Sequence, residues 1–350
     1  MTQTIQPLHF DVVDQVDPRQ WDGYVAAFRG SVFQTHAWAS FLRKDRDAQP
    51  VFARWTDASG EVAAIAVGSF RSPVKGKLAR AALTLSFDAA PAAAVGAVPQ
   101  LEPLVAWARD SGALVLTLDS FDSSGRPWHG DLRECAERIE FLVAPGDERE
   151  LRRRMRRTRA ALHRAERVGV EIESADEGQA SRFAHLFEST VARLRRDKHV
   201  ALGGVDTNRF TAGLRVLLSS GRARLYLARF DNEYVAGCVF GVADGNAFYL
   251  YNGSSETALS VGATPLTLLR AMTDLSEEGF ERINLGGVPA SARDPASPDH
   301  GLYTFKLGLG GEPALCRGGR VSLRPIRLTL FDLARSVRAR TIRRSPIRDQ

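Results

Sequence analysis

The sequence predicts an α/β chain of the α+β kind: two units, each a mixed, mostly antiparallel sheet flanked by helices. Three observations lead there. Residues 150–310 read as strand, helices, three strands joined by tight turns, helix and strand, and the first 145 residues show a similar mixed order. Pro145-Gly146-Asp147 is a turn signal between the two runs. A chain of 350 residues, 44% hydrophobic and 25% charged, suits two domains of medium size with enough apolar material for two cores. The expected division is 1–145 and 146–312, with 313–330 completing the first unit and 331–350 forming a basic tail.

In chain order, 8–14 is a strand, and Asp17-Pro18 opens a helix through Phe28, with Asp17 as cap and Pro18 in the first turn. Trp38, Phe41 and Leu42 share one face of the next helix. Strands 50–57 and 61–70 flank the turn Asp57-Ala-Ser-Gly60, and 81–87 is a further strand. Pro99 leads into a helix, 100–111, stopped by Gly112, and Ala113–Leu118 is a buried strand. A loop, 122–130, precedes a helix over 131–137 and a strand over 138–143.

The segment 150–169 reads as one helix, with Leu151, Met155, Thr158, Leu162 and Ala165 as its buried stripe and Gly169 as its stop. Eight arginines occupy its other faces, with little negative charge to pair them. Such a face tracks phosphates or simply keeps a helix solvated. A strand over 170–174 and a helix from Asp176 to about Leu194 follow, ending in the basic cluster Arg193-Leu-Arg-Arg-Asp-Lys198-His199. Then come a helix over 206–219 and strands 222–230, 233–243 and 246–252, broken at Asp231-Asn232 and Asp244-Gly245. Thr264-Pro265 caps a helix through Glu278, and Arg282–Leu285 is a strand. Strand-like residues continue from Gly311 to about Leu323, before a basic helix and tail over 326–348.

Charge is uneven. Residues 1–150 hold 15 basic against 20 acidic residues, and the remainder holds 32 against 21. A basic second half implies a polyanionic partner such as RNA, a nucleotide diphosphate or an anionic membrane face. No secretory signal and no run of eighteen apolar residues is present, so a cytoplasmic chain is expected. Cys135, Cys238 and Cys316 have no metal-like spacing and make no disulfide framework.

The most informative stretch runs from Glu281 to Glu312. An apolar run ends on Asn284-Leu-Gly-Gly287; a polar insert follows, then Gly301-Leu-Tyr-Thr-Phe305-Lys306 and Gly310-Gly311. That is the layout of a site where backbone approaches a ligand closely and one fixed cation faces it. Asp88, Asp119, His36 and His199 are candidate proton acceptors, each of which also fits a structural or solvated role.

These residues, together with Val32-Phe-Gln-Thr-His-Ala-Trp38, Arg164-Ala-Glu-Arg-Val-Gly169-Val170 and Leu250-Tyr-Asn-Gly-Ser254 ahead of a helix beginning with Pro265, make the chain resemble the FemABX family over about 8–325. The family's coiled-coil arm is not evident, so the likeness is to its compact members. The resemblance implies two domains of the GNAT acyltransferase fold. It also implies transfer of an aminoacyl group from a charged tRNA to an amine, usually on a peptidoglycan precursor, with no cofactor and no metal. Lys306 matches the family's functional lysine and is the expected catalytic residue, which would stabilise the oxyanion or hold the tRNA's 3′-terminal phosphate, and Tyr251 matches an aromatic position lining the same channel. Arg43 or Lys44 would hold the acceptor's diphosphate. Asn252, Tyr303, Phe305 and Lys198 complete the expected substrate-binding set, and Tyr303 and Phe305 also fit packing roles that fix the lysine.

Arg153, Arg156, Arg157 and Arg164 are the expected tRNA contacts. They would be made to phosphate and carry little sequence information. No DNA partner is expected, and the tail fits an anionic membrane contact or a solubilising extension. One departure concerns the acceptor: Leu85-Ser-Phe-Asp-Ala-Ala-Pro91 lacks the Gly-Pro turn usual there, which keeps open a peptide or nucleoside natural-product acceptor.

Two other classes compete. An acyl-CoA-dependent transferase on the same fold needs a pyrophosphate turn, and Leu259-Ser-Val-Gly262-Ala-Thr264 keeps only its first glycine. A non-enzymatic RNA-binding protein would leave the Gly-Gly and Phe-Lys layout without a purpose, and no stacking motif of the common RNA-binding modules is present.

Overall fold

The computed structural model describes residues 8–72, 83–123, 128–130, 134–198 and 204–329. The strands among them form one continuous sheet rather than two. The first half contributes β1 (His9–Val13), β2 (Gln49–Thr56), β3 (Val62–Arg71), β4 (Thr84–Phe87), the short β5 (Ala92–Ala93) and β6 (Val115–Leu118). The second contributes β8 (Glu171–Ala175), β9 (Ala223–Phe230), β10 (Glu233–Ala243), β11 (Asn246–Ser254) and β12 (Arg282–Pro289). Between the halves lie β13 (Glu312–Ser322) and β7 (Glu134–Val143), giving the order β1-β2-β3-β4-β6-β13-β7-β12-β11-β10-β9-β8, with β5 on β3.

The two ends of that order mirror each other. In each half three antiparallel pairings lead to one parallel pair, β4 with β6 and β11 with β12. Each half is then finished by the strand that follows the other half's parallel pair in sequence. β7 comes after β6 but lies beside β12, and β13 comes after β12 but lies beside β6. The antiparallel ladder of β13 from Glu312 to Arg320 against β7 from Leu142 to Glu134 welds the halves.

Helices cover the sheet: α1 (Pro18–Ala27), α2 (His36–Arg46), α3 (Glu102–Asp110), α4 (Glu148–Arg154), α5 (Arg159–Arg167), α6 (Ala180–Lys198), α7 (Thr207–Ser219), α8 (Glu256–Val261), α9 (Ala263–Glu277) and α10 (His300–Gly308). Asp17 caps α1 by accepting from Gln20 N at 2.8 Å, and Thr35 caps α2 by accepting from Trp38 N at 3.1 Å. The aromatic face of α2 is buried: Trp38, Phe41 and Leu42 join Phe183, Phe210 and Leu225 from the second half in one apolar cluster. The halves therefore share a core besides a sheet. Each half also has apolar packing of its own, around Trp55, Leu85 and Leu116 in the first and around Phe141, Phe240 and Leu268 in the second.

Several local expectations are corrected. Residues 134–143 are one long strand, so no helix spans 131–137; helix-compatible residues Glu134–Glu137 are held extended by the β13 ladder. The arginine-rich segment is not one helix. It breaks at Met155 (φ −76°, ψ 39°), turns once through Arg156–Thr158, and resumes as α5. The break keeps the whole expected stripe buried, with α4 and α5 both on α9 and the turn against α10. A short helix, α8, precedes α9, whose cap is Gly262 rather than Thr264. Residues 300–308, within the Glu281–Glu312 stretch, are helical. Residues 81–82, 124–127 and 131–133, His199, the Lys198 side chain and the tail from 330 lie outside the described residues.

Candidate active site

The parallel pairing of β11 with β12 is confined to Asn246–Phe248 against Arg282–Asn284. Past that point the strands part. On its other edge β12 pairs with β7 from Ile283 onward, with a register shift between Asn284 and Gly287. A cavity of about 290 Å³ occupies the opening, lined from the second half by Phe248–Tyr251, Gly286, Gly287 and Lys306, from β7 by Arg138, and from the first half by Phe33, Trp38, Arg46 and Phe121. The site is thus built where the two halves meet, which is a common place for ligand pockets.

The Asn-Leu-Gly-Gly motif has a local physical reason. Gly286 has φ +69°, which disfavours any residue with a side chain, and its N–H donates to Asn284 Oδ1 at 2.8 Å. A side-chain carbon on Gly287 would lie 2.6 Å from Arg138 Nη2 and 2.7 Å from the Ile139 carbonyl oxygen. The bare backbone turns two carbonyls toward α10, where Lys306 Nζ donates to Leu285 O at 2.7 Å and lies 3.4 Å from Gly287 O. Lys306 is only 6% exposed. Burial pulls its ammonium down to about 7; the Arg138 charge adds to that and Glu140 opposes it.

Behind the cavity lies a buried polar network. Asn284 Nδ2 donates to Asp122 Oδ1 at 3.0 Å and to Glu140 Oε2 at 2.8 Å, and Arg282 pairs with Asp122. Burial raises the Glu140 carboxyl, against the pull of Arg138 and Asn284. Arg138 lies 3.3 Å from Glu140 Oε1 at Nε, and its guanidinium covers the Phe121 ring at 4.2 Å. On the first-half side, Asp88 accepts from Trp38 Nε1 at 2.9 Å and faces Arg46 at 3.7 Å. Burial, reinforced by Asp88, raises Asp119 to about 6, with Arg138 and Arg46 opposing.

Lys306 and Tyr251 come together in this cavity. Tyr251 also faces a second cavity of about 530 Å³ shared with Arg46, Arg71, Phe187 and Phe210. Asn252 follows Tyr251 on β11 and has a buried, unpartnered Oδ1. Tyr303 packs edge-on against Phe141 at 5.4 Å, and Phe305 is half-buried beside the same cluster, so both support α10 from behind. Arg43 and Lys44 are exposed and do not line the cavity; on that helix Arg46 does. His36 stacks on Phe52 and is not part of the lining.

Arg138, Arg46 and the Glu140–Asn284 pair were absent from the sequence reading. Arg138 lies on residues read as a strand edge after a helix, far in sequence from Lys306. Nothing local marks it.

Arg153, Arg156, Arg157 and Arg164 are all exposed. Arg153 lines a surface pocket of about 520 Å³ with Arg149, Arg152 and Arg159. Arg152 is paired with Glu148 and Glu166, so part of this face is compensated. The turn carrying Arg157 abuts the end of α10: a carbon on Gly308 would lie 3.3 Å from Arg157 Cβ. The basic face and Lys306 are therefore on adjoining elements. At the turn before α9, a carbon on Gly262 would lie 2.4 Å from the Ala161 carbonyl oxygen, so α5 already packs there. Among the described residues no helix is long and apolar enough to cross a membrane, and no cluster of His, Cys, Asp or Glu is arranged to hold a metal.

Comparison with known proteins agrees with this architecture. Residues 149–306 match the Acetyltransferase (GNAT) domain family. No curated protein matches the chain by sequence. Among solved structures, FemX superposes with a TM-score of 0.66 at 15% identity, covering 91% of this chain and 99% of its own. A C-terminal domain ascribed to a lysylphosphatidylglycerol synthetase from Agrobacterium fabrum gives 0.53 at 16% identity, covering 91% and 97%. L-PGS from Bacillus licheniformis gives 0.50 at 15%, covering 93% and 98%. The mirrored sheet, the parted parallel strands and these likenesses identify the chain as having the FemABX-like double GNAT fold.

Proposed function

We propose that this protein is an aminoacyltransferase that moves an amino acid from aminoacyl-tRNA to an amine, with a peptidoglycan precursor as the leading acceptor class. A peptide or nucleoside natural product is the alternative acceptor. The observation that carries the reading is Lys306, desolvated at the opening of β11 and β12 in a cavity that both halves line. The arginine face on α4, α5 and the turn between them supports a tRNA acceptor arm held beside α10. The packing of α5 on the Gly262 turn, and the lost second glycine there, argue against a CoA pyrophosphate at that place.

A chemical role for Lys306 follows from its surroundings. With a pKa near 7, its amine is substantially neutral at that pH. Its two N–H groups then point to the Leu285 and Gly287 carbonyls, leaving the lone pair for a proton. The acceptor amine attacks the ester carbonyl and forms the C–N bond. Lys306 Nζ takes the proton from the resulting ammonium and returns it to the ribose oxygen as the C–O bond breaks. No covalent enzyme intermediate is required.

The test is transfer of a labelled amino acid from charged tRNA to an amine acceptor. Lys306→Ala should slow it by on the order of 10²-fold or more without unfolding the chain. The rate should rise with pH through about 7, where Lys306 loses its proton. Turnover with acetyl-CoA but not with charged tRNA would overturn this reading.

A further inference from the structure

We infer that the cavity at Lys306 receives a substrate group bearing a carboxylate or phosphate, with Arg138 as its receptor and Arg46 as the second cation. The inference deepens the aminoacyl-transfer reading and rests on it for the identity of the substrate. Its first observation is the sign of the lining. Arg46, Arg138 and Lys306 line the cavity, and the rest of its wall is aromatic or apolar side chains and glycine backbone; no carboxylate lines it. The acids nearest the arginines stand outside the lining: Asp88 and Glu140 are buried behind the wall, and the partly buried Asp119 acts on both arginines.

The second observation is the unused donor capacity of Arg138. A guanidinium carries five N–H donors. The carboxylate paired with it among the described residues is Glu140, 3.3 Å away at Nε, and that buried Nε makes no hydrogen bond. Arg46 is more engaged: besides 3.7 Å ion pairs with Asp45 and Asp88 it has a side-chain hydrogen bond with Tyr251, so it contributes charge rather than a free fork. The plane of Arg138 is fixed by Phe121 on one side, at 4.2 Å, and by bare Gly287, which makes room for Nη2. A fixed fork with free donors, next to a buried amine, suits a bidentate oxyanion better than a neutral or cationic group. A lysine-like cationic side chain would meet two guanidinium groups and no carboxylate in the lining.

The anion has two sources within the proposed reaction: an acidic side chain on the transferred amino acid, or a carboxylate or phosphate near the acceptor's amine. Binding tests the site without any transfer. Calorimetric titration of the full chain with N-acetylglutamate and with its neutral isostere N-acetylglutamine should show the anion bound at least about tenfold more tightly, a difference of about 1.4 kcal/mol. Arg138→Gln alone strands the buried Glu140 charge and risks unfolding. The double variant Arg138→Gln/Glu140→Gln keeps the pair neutral, and Arg138→Lys keeps the charge but not the fork. The preference should vanish in the first and fall at least about threefold in the second, with unchanged melting behaviour. Equal binding of the two probes, binding of neither, or a preference untouched by the double variant would overturn the inference.

Transfer then assigns the source. Glutamyl-tRNA outpacing glutaminyl-tRNA with a neutral acceptor points to the donor. An anionic acceptor outpacing its amide, with no donor preference, points to the acceptor. Active transfer with neither preference overturns the assignment of the anion to substrate. No transfer from any charged tRNA sinks the aminoacyl-transfer reading while leaving the anion-binding result standing.

Discussion

Lys306 is the residue on which the proposed chemistry and the stability of the fold meet. Its ordinary pKa of 10.5 applies in the unfolded chain, and burial lowers it to about 7 in the fold. Between those values the unfolded state binds the extra proton, so stability rises with pH across that window. Below about 7 both states are protonated and the full penalty of a buried ammonium is present, on the order of 5 kcal/mol at 1.36 kcal/mol per pH unit. Lys306→Met removes the titrating group. Denaturant midpoints measured from pH 7 to 10.5 should therefore climb more steeply in the wild type than in the variant; parallel profiles would refute a desolvated lysine. The motif and the family resemblance made Lys306 visible in the sequence. Its depressed pKa was not visible, because that depends on Leu285, Gly287 and Arg138 closing over it.

At the scale of elements, the candidate site depends on a strand that keeps one partner and loses the other. β12 leaves β11 after Asn284, and the glycine pair makes the register shift against β7. Gly287→Ala would press a methyl group against Arg138 Nη2 and the Ile139 carbonyl. Relieving that overlap should cost about 1–3 kcal/mol and displace Arg138 from its stack on Phe121. A thermal melt checks the first effect, and loss of the anion preference checks the second. Strands and capped helices were mostly readable, since periodicity and caps are local. The two larger failures were at Glu134–Glu137 and Met155. In the first, the β13 ladder overrides local propensity. In the second, one apolar stripe fits a straight helix and a broken one equally well until α9 and α10 impose the break.

At the scale of the molecule, the halves are not separable beads. They exchange their final strands, share the cluster around Trp38, Phe41, Phe183 and Phe210, and are clamped by ion pairs such as Arg222–Asp22 at 3.0 Å. Unfolding should accordingly be a single transition by fluorescence and by far-ultraviolet circular dichroism. Phe41→Ala, at a fully buried position in the shared cluster, should lower the stability of both halves together by about 3–5 kcal/mol. Two resolved transitions, with only one shifted by the variant, would show that the halves fold independently.

The sequence by itself determined the class of the fold, most of its elements, the basic character of the second half and the glycine-and-lysine motif of the Asn284–Lys306 stretch. Those properties rest on composition, periodicity and short motifs, which act over neighbouring residues. Only the tertiary structure decided that one sheet runs through the whole chain, that β7 and β13 change places, and that Arg138 and Arg46 stand opposite Lys306. These are pairings between residues more than a hundred positions apart. Hydrogen-bond ladders and shared burial select them, and no local pattern in the chain encodes which strand finds which neighbour.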